Sequence, residues 1–196
     1  MSHYFTDNNS LRSDPKEFKY HFNNEQFTFT TDIGVFSKGE VDFGSELLIK
    51  NVYSKPIGVD CLDLGCGFGP IGIIVKRLNP NLNMDAVDVN SRAIELTSLN
   101  AKINNCEIKT YKTDDILTLN KSYDTILLNP PIRAGKIIIY SLYEKAHTVL
   151  NNNGSLYIVI RKKQGADTSY KKLKDIFKEV NIVDKEKGYV IIQSIK

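Results

Sequence analysis

IGVDCLDLGCGFGPIGIIVKRLN, residues 57 to 79, sets the architecture expected of this chain. Residues 57 to 64 read as a buried strand, and residues 70 to 79 as a helix whose Pro70 suits a first-turn position. Between them Gly65, Gly67 and Gly69 stand at alternate positions. Strand, glycine turn and helix in that order open a parallel α/β sheet, whose ligands dock at the carboxyl ends of the strands where strand order reverses. Glycine is needed there because a side chain would hold a ligand away from the backbone.

The same rhythm continues downstream. NMDAVDV (83 to 89), EIKTYK (107 to 112), YDTILLN (123 to 129) and SLYIVIRK (155 to 162) read as strands, with helices over 91 to 104 and 136 to 150 between them. On the helix from 91, Ala93, Ile94, Leu96, Thr97 and Ala101 share one face. TSYKKLKDIFKEV (168 to 180) reads as a last helix, and NIVDKEK with GYVIIQSIK as a closing strand pair turned near Gly188. The class is therefore α/β: a seven-stranded, mostly parallel sheet with helices on both faces. Upstream, FKYHFNNEQFTFTTD (18 to 32) alternates aromatic and polar residues as a two-stranded ribbon would, and FGSELLIKNVYS (43 to 54) reads as a helix. No linker separates the two regions, so residues 1 to 56 are expected to elaborate a single domain spanning 1 to 196.

The 196 residues, 41% hydrophobic and 25% charged, fit one globular core, and no apolar run approaches a bilayer span. The amino terminus lacks a signal-peptide pattern, which makes the cytoplasm the expected location. Cys61, Cys66 and Cys106 lack the spacing of a zinc site and read as free thiols; no metal is expected. A net charge of +3 does not establish nucleic-acid binding. Its distribution is more informative, because Arg161, Lys162, Lys163, Lys171, Lys172, Lys174 and Lys178 crowd the last fifth of the chain. They form either an RNA-facing patch or a solvated helix face.

Gly67, Gly69 and Gly72 also satisfy the dinucleotide pattern G-x-G-x-x-G, so a nicotinamide enzyme has to be weighed. Asp63 argues against it: a carboxylate at the loop entrance would repel a pyrophosphate but accept hydrogen bonds from an amino acid's ammonium group. S-adenosylmethionine carries such a group and no phosphate. Asp88, ending the second strand, is placed for ribose hydroxyls, and Asp114 and Asp115 after the third strand for adenine. With Phe68 in the loop, Val89 and Asn90 behind Asp88, and Asn129, these complete the expected cofactor set.

Asn129-Pro130-Pro131-Ile132, at the end of the fourth strand, is the expected catalytic segment. Two prolines fix the backbone and remove two N–H groups, leaving carbonyl acceptors beside the Asn129 side-chain oxygen. An amine held between those acceptors turns its lone pair toward a methyl donor, so that orientation rather than a strong base drives transfer.

With both blocks read, the chain resembles class I methyltransferases that act on nitrogen through an Asn-Pro-Pro motif. It is most similar to the small-subunit ribosomal RNA guanine-N2 methyltransferase C family, through HYF (3 to 5), FTTDIGVFSKGEVDFGSELLI (29 to 49), DLGCGFGPIG (63 to 72), VDVNSRAIELTSLNA (87 to 101), NPPIRAGK (129 to 136) and RKKQGA (161 to 166). The resemblance implies a Rossmann-like fold, S-adenosylmethionine as cofactor and ribosomal RNA or a small-subunit particle as partner. It also implies that Gly65, Gly67 and Gly69 surround the cofactor's methionine part, that Asp88 holds its ribose and Asn129 the target amine, and that Phe36, Lys38 and Asp42 close over cofactor or target. Arg133, Lys136, Arg161 and Lys163 are candidate RNA contacts. Two departures stand out. Longer family members carry a second, degenerate half for which 196 residues leave no room, and Ile132 stands where relatives acting on adenine or glutamine carry an aromatic residue. Methylation of a protein glutamine or small amine, and a non-catalytic RNA- or cofactor-binding module on the same fold, are the competing readings.

Overall fold

The computed structural model describes residues 12–37 and 39–196; the HYF block and Lys38 lie outside the described residues. Strands β1 (Lys16–Phe22) and β2 (Glu25–Thr31) pair antiparallel as the expected ribbon. Asn23 and Asn24 both take positive φ, 50° and 62°, so the hairpin closes with the turn that matches strand twist. Helix α1 (Phe43–Val52) follows, and the alternating part of the chain then supplies β3 (Asp60–Leu64), α2 (Pro70–Leu78), β4 (Asn83–Asp88), α3 (Ser91–Ile103), β5 (Lys109–Lys112), β6 (Tyr123–Leu128) and α4 (Lys136–Val149). The chain ends in β7 (Leu150–Arg161), α5 (Ala166–Lys174), β8 (Glu179–Glu186) and β9 (Tyr189–Ile195). The main sheet has seven strands in the order β5-β4-β3-β6-β7-β9-β8, parallel from β5 to β7 and antiparallel across β9.

Side chains on successive strand residues alternate between two cores. Cys61, Leu127, Tyr157, Val159 and Ile191 pack with the ribbon and α1, α2 and α3; Leu62, Leu64, Ile126, Leu128, Ile158 and Ile192 pack with α4 and α5. No helix among the described residues is long and apolar enough to cross a membrane.

Three boundaries differ from the sequence expectation by three residues or more. The first strand starts at Asp60, because Gly58 turns at φ +77° and Val59, 51% exposed, gives its N–H to the Asp124 carboxylate. The last helix ends at Lys174; buried Phe177 anchors the turn after it, and the Lys178 N–H bonds the Ile195 carbonyl, drawing residues 179 and 180 into β8. Strand β7 begins at Leu150, paired with Tyr123, and bulges before Ser155 pairs with Thr125. On α3, Ile94 is only half-buried, and Asn100 is fully buried on the inward face.

Candidate active site

Strand order reverses between β3 and β6, and Leu64 and Leu128 are register partners there. The glycine loop and Asn129 therefore leave the sheet side by side, at the mouth of a cavity of about 680 Å³. Gly65, Gly67, Phe68, Asp88, Val89, Asp114, Asn129, Pro130 and Pro131 line it, together with Phe36 and Asp42 from the segment before α1.

The loop is held from beneath. The N–H groups of Gly65 and Cys66 both bond the Val87 carbonyl at 2.9 Å. Asp88 accepts from the N–H of Gly67 at 3.0 Å through Oδ2 and from that of Asn90 at 2.9 Å through Oδ1. Burial pushes the Asp88 carboxyl pKa up, against the hydrogen bonds from Asn90, Gly67 and Val89 that favour the charged form. A Cβ at Gly65 would meet no protein atom within 4 Å, which leaves a backbone wall open to a ligand. At Gly69 it would meet Ile73 and Thr97 at 2.8 and 2.9 Å, so this glycine serves helix packing rather than the cavity.

Asp63 is fully buried and does not reach the cavity lining. Its Oδ2 accepts the Gly72 N–H at 2.8 Å, while Oδ1 has no partner among the described residues. Desolvation raises its pKa to about 7, with the Gly72 bond opposing and the Asp88 charge adding to the rise. Asn90 is likewise interior: it caps α3 and donates to the Gly34 carbonyl at 2.9 Å. Asp115 caps the 3₁₀ turn at 116–119 and pairs with Lys145 at 3.3 Å.

Asn129 donates from Nδ2 to Ser45 Oγ at 3.1 Å and to Asp42 Oδ2 at 3.4 Å, both at the amino end of α1. Those bonds orient the amide and leave Oδ1 as its acceptor for a guest. The Pro131 carbonyl is taken by the Ala134 N–H at 2.9 Å, which leaves the Pro130 carbonyl as the second acceptor of the segment. Ile132 does not line the cavity; it opens a 3₁₀ turn and packs against the α4–α5 core.

Arg133, Lys136, Arg161 and Lys163 are exposed outside the cavity. Arg161 ends β7 with its guanidinium 4.6 Å from the Tyr189 ring, Tyr189 lies 5.4 Å from Phe43, and Lys187 sits 4.5 Å over Phe43. The Lys162 N–H bonds the Gly188 carbonyl, tying the 162–164 turn to the β8–β9 hairpin tip. The basic run is thus divided. Residues 161–163 stay on the carboxyl-end rim, whereas Lys172 pairs with Glu144 and Lys178 starts the path into β8 at the far edge.

The sequence reading missed several residues. Val35, Ala134, Ile137 and Ile138 line the cavity, and Ile137 and Ile138 are 86% and 46% exposed, forming an apolar lip with Phe36. The signal was present: the three consecutive isoleucines at 137–139 cannot all face the core from one helix. Ser45 and Lys145 were also missed; Lys145 reaches the Asp114 carbonyl at 3.1 Å and closes one side.

The sequence model of the methyltransferase small-domain family matches residues 26–193. The Bacillus subtilis (strain 168) protein YbxB is 42% identical over 99% of this chain and 98% of its own length. The ribosomal RNA small subunit methyltransferase C of Aliivibrio fischeri is 36% identical over 74% of this chain, but only 43% of that protein is covered. Among solved structures, the Thermus thermophilus 16S rRNA N2 methyltransferase RsmC, in complex with AdoMet and guanosine, matches with a TM-score of 0.84 at 22% identity, over 95% of this chain and 52% of that one. The chain spans about half the length of these ribosomal RNA methyltransferases. The family model matches most of the chain's length, and a glycine wall open to a ligand stands beside the Asp88 carboxylate in the cavity: the chain belongs to the methyltransferase small-domain family of class I, S-adenosylmethionine-dependent methyltransferases.

Proposed function

We propose that the protein methylates the exocyclic N2 amine of a guanine in ribosomal RNA. The observation that carries this reading is the pair of acceptors, Asn129 Oδ1 and the Pro130 carbonyl, at the strand-order reversal and in one cavity with Gly65, Gly67 and Asp88. Gly65 and Gly67 would face the methionine part of S-adenosylmethionine, Asp88 its ribose hydroxyls, and Asp114 with Ile116 its adenine. Bound there, the cofactor supplies an electrophilic methyl group. The Asn129 side-chain oxygen and the Pro130 carbonyl would accept hydrogen bonds from the two amine hydrogens and turn the nitrogen lone pair toward that methyl. As the N–C bond forms, the sulfur–methyl bond breaks to leave S-adenosylhomocysteine and the nitrogen sheds one proton to water, so positioning and water exclusion lower the barrier. No histidine among the described residues lines the cavity, and the reading requires none, since the nitrogen becomes acidic only as its new bond forms.

An amine stacked in a helix cannot enter such a site, so the substrate base must be single-stranded or flipped out. Ile137, Ile138 and Phe36 supply apolar surface at the entrance. Arg161, Lys163 and Lys187 on one side, and Arg133 with Lys136 on the NPP side, are the proposed phosphate contacts of a cytoplasmic ribosomal RNA or small-subunit particle. Similarity to the ribosomal RNA methyltransferase C proteins supports this choice of substrate.

The test is transfer of labelled methyl from S-adenosylmethionine to total RNA from cells lacking the protein, comparing wild type with Asn129→Ala and digesting the product. N2-methylguanosine is expected with wild type alone. Labelled protein or metabolites with unlabelled RNA would overturn the RNA reading.

A further inference from the structure

We propose that Asp42 selects the base, by accepting the N1–H of guanine beside the amine held at Asn129. The proposal rests on the preceding reading, that an exocyclic amine of RNA is the target. Asp42 caps α1: its Oδ1 accepts from the N–H groups of Gly44 at 3.0 Å and Ser45 at 3.3 Å. Its Oδ2 accepts from the Ser45 hydroxyl at 2.5 Å and, over a longer 3.4 Å, from Asn129 Nδ2. The residue is half-buried and lines the cavity, and no cation lies within ion-pair distance of it among the described residues. The positive end of α1 favours its negative charge instead. These four bonds fill the roughly four lone-pair sites of a carboxylate, but the 3.4 Å contact from Asn129 is the longest of them and Asn129 Nδ2 also has Ser45 Oγ at 3.1 Å, so a donor in the cavity would take its place at Oδ2.

The cavity thus sets a charged acceptor next to the amine-holding acceptors. Three RNA bases carry an exocyclic amine. Guanine alone has a ring N–H beside it, whereas adenine and cytosine present a ring nitrogen lone pair at that position. Guanine would complete a row of acceptors with a row of donors, one bond being charge-assisted. Adenine or cytosine would set a lone pair against a carboxylate and offer it no donor from the base, a mismatch that discriminates strongly. A glutamine side chain fails in the same way, because its amide nitrogen has a carbon, not an N–H, beside it.

The experiment compares two RNA oligonucleotides of the sequence labelled above, one with guanine and one with 2-aminopurine at the target. The analogue keeps the N2 amine and replaces N1–H by a lone pair. Wild type and Asp42→Asn are measured on both, with S-adenosylmethionine affinity as the control for folding. Asparagine is also a good helix cap, so the change removes charge and not the turn. Wild type is expected to prefer guanine by about 100-fold or more in kcat/KM. In Asp42→Asn that preference should collapse, with the guanine rate falling and the 2-aminopurine rate held or raised, since an amide can donate to the lone pair. Equal loss on both RNAs would make Asp42 only a cap and support for Asn129, and equal wild-type rates on both would also overturn the proposal. If wild type binds S-adenosylmethionine and methylates neither RNA, the guanine reading falls and takes this proposal with it.

Discussion

Asp63 and Asp88 are both carboxylates at carboxyl ends of neighbouring strands, yet one is interior and the other faces the cavity. For Asp63 the folded pKa, pushed up to about 7, lies above the ordinary 3.8, so the unfolded chain ionises first. The stability this group contributes is full below about pH 4 and is lost as pH rises through about 7. Asp63→Asn keeps an acceptor for the Gly72 N–H and carries no charge. Urea denaturation should show wild type losing stability relative to this variant between about pH 4 and pH 7, by about 1.4 kcal/mol per unit of pKa shift; parallel pH profiles would contradict it. Asp88→Ala removes the acceptor for the Gly67 N–H and the ribose together, and calorimetry should find S-adenosylmethionine affinity reduced by about 100-fold. The sequence placed Asp88 correctly at the cavity because strand ends and the following turn are legible from periodicity. It misplaced Asp63, because strand alternation sends residue 63 to the α2 side, toward Gly72, and only the register makes that visible.

At the scale of elements, α3 connects the ribbon to the glycine loop. Asn100 exchanges hydrogen bonds with both backbone groups of Thr30, at 2.7 and 2.8 Å, and also donates to the Phe68 carbonyl at 2.8 Å. Asn104, one turn on, does the same with Thr28 at 2.9 and 2.7 Å. Two amides on one helix face thus cover the edge of β2 as a neighbouring strand would. Arg92 and Asn90 then hold the carbonyls of Ile33 and Gly34, which places Val35 and Phe36 over the cavity. Asn100→Ala leaves three backbone groups without this partner and is expected to cost about 2 to 3 kcal/mol in urea unfolding. Hydrogen exchange at Thr30 should accelerate with it; unchanged protection would mean the ribbon is held without Asn100, by Asn104 and its phenylalanines. The ribbon was legible in the sequence through its aromatic alternation. Its attachment was not, because a buried asparagine looks like a polar residue on a helix until the partner strand is known.

For the whole molecule, the mostly parallel sheet and a cavity at the carboxyl ends of its strands followed from the alternation of strand and helix signals, while the strand order came only with the structure. The surface did not follow. The cations from 161 to 178 read as either an RNA-facing patch or a solvated helix face; α5 carries the later members away from the cavity, while the β8–β9 hairpin sets Lys187 over Phe43 at the start of α1. Replacing Arg161 and Lys163 with alanine should lower the slope of log affinity for single-stranded RNA against log salt by about 1 to 1.5, as expected for two lost phosphate contacts. The same change at Lys171 and Lys174 should leave the slope as it is, and filter binding from low to moderate salt separates the two results.

The central claim is that Asn129 and Pro130 hold a target amine beside the cofactor. Its most direct test is the single-turnover rate of methyl transfer to RNA at saturating S-adenosylmethionine, wild type against Asn129→Ala, with cofactor affinity measured on the same preparations. The account predicts affinity within about 3-fold of wild type and a transfer rate lower by about 100-fold or more. An undiminished rate would show that the amine is held elsewhere.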